Sequence, residues 1–150
     1  MRRMLLAVGV CGLLGSCWGQ VTSATLNDAF GNPSAGLFEV APGVHMIVSY
    51  GRNDEVCVLT IRPDTLTDYS DREATSQLFH ELLEKAVPPD LRGTKKIEML
   101  TINGCSGERV SRYQNLNITE TIFSDINPTC KTQMHLEVRF LKQTCGPAQK

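Results

Sequence analysis

Four cysteines, Cys57, Cys105, Cys130 and Cys145, are spread along this 150-residue chain behind an N-terminus built like an export signal. That combination constrains the fold more than any other feature. Met1-Arg2-Arg3 is a short positive region, Met4 to Gly15 (MLLAVGVCGLLG) is an apolar run, and Ser16-Cys17-Trp18-Gly19 is a small-residue stretch. This is the three-part layout of a secretory signal peptide. The apolar run is shorter than the roughly 20 residues that a membrane span needs. A buried N-terminal helix would leave the arginine pair and the small-residue end unexplained.

We therefore expect residues 1–19 to be a signal peptide, cut before Gln20 with Cys17 and Gly19 at the small-residue positions. A second route is open, because Leu14-Gly15-Ser16-Cys17 resembles a bacterial lipobox, imperfect at Gly15 and the following Trp18. By that route Cys17 is lipidated and becomes the new N-terminus. Cys11 and Cys17 lie within the leader. The other four cysteines form an even set in a small exported domain, which reads as two disulfides. A four-cysteine metal site is the weaker reading, since the four are scattered and no C-x-x-C pair brings ligands together.

Hydrophobic residues make up 41% and charged residues 21%, so neither disorder nor a collagen-like repeat fits. After the leader, about 130 residues remain, enough for one small core. Net charge is −1, and loss of Arg2 and Arg3 leaves 13 basic against 16 acidic residues. An acidic balance argues against a nucleic-acid binder, which needs a basic field to displace counterions from phosphates.

Gln20 to Gly43 is rich in Gly, Pro, Ser, Ala and Thr and reads as mostly irregular, with a short strand at Leu37 to Val40. Ordered structure is expected to begin at Val44, where Val44, Met46, Val48 and Tyr50 alternate with His45, Ile47 and Ser49. Gly51-Arg52-Asn53-Asp54 is turn chemistry, and Glu55 to Arg62 completes a β-hairpin. Ser70-Asp71-Arg72-Glu73 has the S-x-x-E spacing of a capping box. Ala74, Leu78, Phe79, Leu82, Leu83, Ala86 and Val87 then share one helical stripe, which Pro88-Pro89 stops.

Asp90 to Thr94 reads as a loop and Lys96 to Asn103 as a strand. Gly104-Cys105-Ser106-Gly107 is a turn. Val110 to Phe123 is one long strand or two shorter ones with a bulge, because the alternation slips between Tyr113 and Leu116. After a loop from Ser124 to Thr132, Met134, Leu136, Val138 and Phe140 alternate cleanly with His135, Glu137 and Arg139. The order β-β-α-β-β-β predicts an α+β domain over 44–150, an antiparallel sheet of about five strands carrying one amphipathic helix on one face. The helix stripe should pack on the Met134/Leu136/Val138/Phe140 face. If the last strands form a meander, Cys145 returns beside Cys105, and Cys57 pairs with Cys130 by elimination, with the two other connectivities of four cysteines left open by the sequence.

Motifs that would carry chemistry are sparse. His80-Glu81-Leu82-Leu83-Glu84 begins like H-E-x-x-H, but Glu84 replaces the second imidazole, so zinc geometry is not specified. A solvated polar helix face with a His80–Glu84 hydrogen bond is the plainer reading. His45 and His135 lie on polar sides of strands, with few acids nearby to complete a metal site. No nucleophile elbow, phosphate loop or dinucleotide glycine pattern is present. Asn117-Ile118-Thr119 fits the N-glycosylation pattern and is read here as strand. No cofactor is expected.

Several strands carry apolar residues on both faces: Ile47 against Met46, Val58 against Leu59 and Ile61, Met99 against Leu100 and Ile102. A sheet with one helix leaves a wet face, so these residues need a cover. The N-terminal segment, through Leu26, Phe30, Leu37 and Phe38, is the expected cover, and a partner or homodimer surface is the alternative. The expected function is a non-enzymatic binding module, secreted or periplasmic, that binds a protein or envelope component through its sheet face or hairpin loop. Two alternatives are carried forward. One is a small secreted hydrolase using His80 with Glu81 or Glu84, and the other is a purely structural envelope protein.

Overall fold

A computed structural model of the chain describes residues 20–31, 36–51, 54–124 and 129–142. The expected signal peptide, Cys17 and Cys145 lie outside the described residues, as do Arg52 and Asn53 of the first hairpin turn.

The fold is α+β, as the element order predicts. Helices are α1 (Ser23–Phe30), α2 (Arg72–Ala86) and the single turn α3 (Pro89–Arg92). Strands are β1 (Leu37–Ala41), β2 (Val44–Tyr50), β3 (Val56–Pro63), β4 (Thr67–Asp68), β5 (Lys95–Asn103), β6 (Ser106–Tyr113), β7 (Leu116–Phe123), β8 (Lys131–Thr132) and β9 (Leu136–Phe140). Seven of them make one sheet in the order β1-β2-β3-β9-β7-β6-β5, while β4 and β8 pair apart from it. Every pairing is antiparallel.

The expected count of about five strands falls short for two reasons. β1 joins the sheet as a full edge strand, and the slip after Tyr113 is a reversal at Gln114–Asn115 that makes two strands of one. That reversal also corrects the expected disulfide. The end of β9 does return beside the start of β7, where Phe140 pairs with Leu116. Because β6 and β7 form a hairpin, however, Ser106 lies opposite Phe123, at the other end of β7. Cys105 therefore sits beside the β7–β9 connection and bonds Cys130 rather than Cys145. Cys57 is disulfide-bonded as well, though not to Cys130.

The helix-side face of the sheet is the core. Met46, Leu59, Ile61, Leu136, Val138, Leu116 and Ile118 meet Phe79, Leu82, Leu83 and Ala86 of α2, all buried. The expected contact between the helix stripe and the last strand is thus formed. α2 begins two residues after the expected cap. A 3-10 turn takes up Tyr69–Asp71, and Asp71 stands at the N-cap without a side-chain cap bond. The Ser70 capping box therefore does not form.

The described part of the N-terminal segment is a helix and a strand rather than irregular chain, and apart from Leu37 its apolar residues face the core rather than the second face. Thr22 caps α1, its hydroxyl accepting from the Thr25 amide while the Thr25 hydroxyl accepts from the Thr22 amide. Leu26 and Phe38 are 1% and 2% exposed, in the same core as α2, and Lys85 of α2 lies 4.6 Å over the Phe30 ring. Leu37 alone among the expected cover residues is on the second face, paired with Ile47 and exposed. That face has no covering element among the described residues.

Candidate functional site

Six inter-strand gaps make the sheet about 29 Å wide, while two helices side by side span about 20–24 Å. α1 lies against β1 and α2, and α2 reaches across to β7, so the margin beyond β7 is left open. There, β5 (KKIEMLTIN) is an edge strand in which all nine residues are exposed. The registers put Glu98, Leu100 and Ile102 on the helix-side face with Arg109 and Glu120, and put Ile97 and Met99 on the open face with Arg112 and Val110. Seven large apolar side chains are exposed among the described residues. Four of them are Ile97, Met99, Leu100 and Ile102, at 42–58% exposure.

A tight hairpin turn joins β5 to β6. Gly104 takes φ +61° at the first of two turn positions, as a type II′ turn requires. Gly107, next in β6, lets the two strands close, since a Cβ there would stand 2.3 Å from the Thr101 carbonyl oxygen. Lys95 of β5 and Ser111 of β6 both bond the Glu98 carboxylate. The Lys95 contact holds Glu98 below its ordinary pKa and raises that of Lys95.

Between β5 and the first half of α2 runs a cleft of about 490 Å³, lined by Arg72, Glu73, Ser76, Leu100, Ile102, Arg109, Ile122, Phe123 and Met134. Arg72 is held in place, its guanidinium 3.9 Å from the Tyr69 ring centroid and donating to the Tyr69 carbonyl at 3.1 Å. Beside the cleft lies Glu120, 4% exposed, a residue that motif reading passed over. Its signal was available, because Leu116, Ile118 and Glu120 alternate and put a carboxylate where a core side chain belongs. Three groups answer its charge: Arg109 Nη1 at 3.3 Å, the Ser76 hydroxyl at 3.2 Å and His80 Nε2 at 3.7 Å.

His80, Glu81 and Glu84 do not form a common site. His80 faces Glu120, Glu81 accepts from Gln77, and Glu84 takes a hydrogen bond from Arg92 at 2.7 Å. Arg92, only 8% exposed, also donates twice to the Val87 carbonyl, so it draws Glu84 away from His80 and the expected i, i+4 bond gives way. Ser76 and His80 both address Glu120 Oε1, so the histidine is not placed between serine and acid as nucleophile activation requires. His45 pairs with Asp64 and His135 with Thr121, on separate parts of the molecule. Among the described residues no three metal-ligating side chains converge, and no helix is long and apolar enough to cross a membrane.

No protein-family model, curated protein or solved structure matches the chain. Any functional reading therefore stands on the residues themselves.

Proposed function

We propose that the chain is an exported, disulfide-stapled, non-enzymatic binding module whose protein partner docks along β5 and the adjoining cleft. The observation that carries this reading is β5 itself, a nine-residue edge strand exposed throughout with large apolar side chains on both faces. Apolar surface concentrated in one place marks an interaction site more often than it occurs by chance. An unpaired strand edge adds a row of backbone donors and acceptors ready to take another strand. The leader pattern and the Cys105–Cys130 bond both fit a compartment outside the reducing cytosol. Polar partners already satisfy His80, Glu81 and Glu84, which favours binding over hydrolysis.

The test is site-specific photocrosslinking in the native compartment. A photoreactive residue at Leu100 should give discrete protein adducts, and the same residue at Glu39 on the opposite edge should not. Equal labelling at both positions, or none at Leu100, would remove the reading.

A further inference from the structure

We infer that the partner of β5 is a second copy of this chain, whose own β5 adds antiparallel to make one continuous sheet. This inference rests on the binding-module reading and deepens it.

The two edges of the sheet are built differently. β1 has five residues and a register shift between Glu39 and Ala41, and shortness and bulging are how natural edges avoid pairing. β5 has nine residues and no proline, and its one register shift lies at its very start, between Lys95 and Ile97. From Ile97 to Asn103 it runs in unbroken register with β6. Apolar side chains stand on both of its faces, Ile97 and Met99 on one and Leu100 and Ile102 on the other. A strand washed by solvent gains nothing from these residues. One flanked by neighbours on both sides buries them.

Antiparallel pairing about a two-fold axis through Met99 engages the whole strand. Lys96 then stands opposite Ile102 of the second copy, Ile97 opposite Thr101, Glu98 opposite Leu100, and Met99 opposite its own counterpart. Directly opposed residues are 4.5–5.5 Å apart and diagonal ones about 7–8 Å. Ile97 and Met99 of both copies would cluster on the open face, and the two Leu100 side chains would meet diagonally beside the clefts. The charges agree with this direction. Lys95 and Lys96 occupy one end of β5, so antiparallel pairing keeps the two lysine pairs apart, whereas parallel pairing would stack them. The two Glu98 carboxylates become diagonal neighbours, but each is already engaged by its own Lys95 and Ser111.

A seam about 30 Å long, with its flanking side chains, buries roughly 800 Å² in total, small for a stable pair. The dimer is therefore reversible and concentration-dependent. Sedimentation velocity of the purified mature chain, from about 1 to 200 μM, should show conversion from one to two chain masses. The double variant Met99→Lys, Leu100→Lys should stay monomeric over that range with an unchanged circular dichroism spectrum, since both side chains are exposed. Monomer at every concentration, or a dimer that survives the double variant, would overturn the inference. If the chain stays monomeric while Leu100 crosslinks to a different protein in the native compartment, the binding-module reading stands and only the self-pairing is lost.

Discussion

Arg109 Nη1 stands 3.3 Å from Glu120 Oε2 across the β6–β7 pairing, so one residue both walls the cleft and neutralises the buried carboxylate beside it. The Ser76 hydroxyl and His80 complete the set from α2, tying helix to sheet through a charge rather than through apolar contact alone.

Removing the cation should expose that dependence. Breaking a buried pair costs 3–5 kcal/mol, and because Arg109 is 40% exposed the cost of Arg109→Met should be nearer 1–3 kcal/mol. Adding Glu120→Leu to it removes the stranded charge and should return most of the loss. Urea unfolding of the single and double variants measures both steps. A neutral single variant would show that the carboxylate does not need its arginine.

The cysteines offer a covalent check. Non-reducing peptide mapping should recover a Cys105–Cys130 linked pair. Cys57 is also oxidised and lies one residue before Val58, which pairs with Arg139, five positions beyond Met134 toward the C-terminus. With residues 1–19 removed, Cys145 is the remaining cysteine, so the second linked peptide should join Cys57 to Cys145. Replacing Cys105 and Cys130 by serine opens a loop of 25 residues and should cost about 3.5 kcal/mol in the chain-entropy model.

Much of the fold was legible where one periodicity ran without competition. The α2 stripe and the Leu136/Val138/Phe140 alternation identify their elements and their contact, because burial repeats at the element's own period. What escaped was set by partners distant in sequence. The slip in alternation after Tyr113 marks a break at Gln114–Asn115 without saying that the chain reverses there, and that reversal redirected Cys105 to Cys130. Glu84 left His80 for Arg92, a residue beyond the helix-stopping prolines. Glu120 lacked any motif, yet its strand parity already placed a carboxylate on the core face. β5 shows the opposite case: its apolar residues on both faces were evident in the sequence, while its place at the edge came only with the topology.

Leu26 tests the correction to the N-terminal segment. An irregular tail would tolerate Leu26→Ala, with a change within about 0.5 kcal/mol. Packed at 1% exposure between α2 and the sheet, Leu26 should instead cost about 2–5 kcal/mol when truncated, read from the shift in urea midpoint. The control Leu66→Ala, at an exposed loop position, should be near neutral.

Trp18 reports how the chain is processed. It is the only tryptophan in the sequence, so a cut before Gln20 yields a product without tryptophan emission, and a cut before Cys17 yields one that keeps it. Soluble release predicts the first result and an intact mass beginning at Gln20. Retained tryptophan with a lipid-sized mass increment would instead place the chain on a membrane surface through Cys17.

The pH response of β5 follows from one contact. Lys95 beside Glu98 lowers the carboxyl pKa and raises that of the amine, each mainly through their shared hydrogen bond. A depressed folded pKa means that the Glu98 contribution is complete above the unfolded carboxyl value and fades as pH falls toward the folded one. A raised folded pKa means that the Lys95 contribution is complete below the unfolded amine value and fades as pH climbs through the folded one. The contact thus supports β5 across the neutral range and weakens at both extremes. Titration of the Glu98 carboxyl carbon by NMR should give a midpoint below the ordinary glutamate value, and Lys95→Met should move it back toward that value. Both groups are exposed, so the same variant should leave global stability nearly unchanged while the β5 amides exchange faster in hydrogen–deuterium measurements. A Glu98 midpoint indifferent to Lys95 would mean that the strand is not held by this contact.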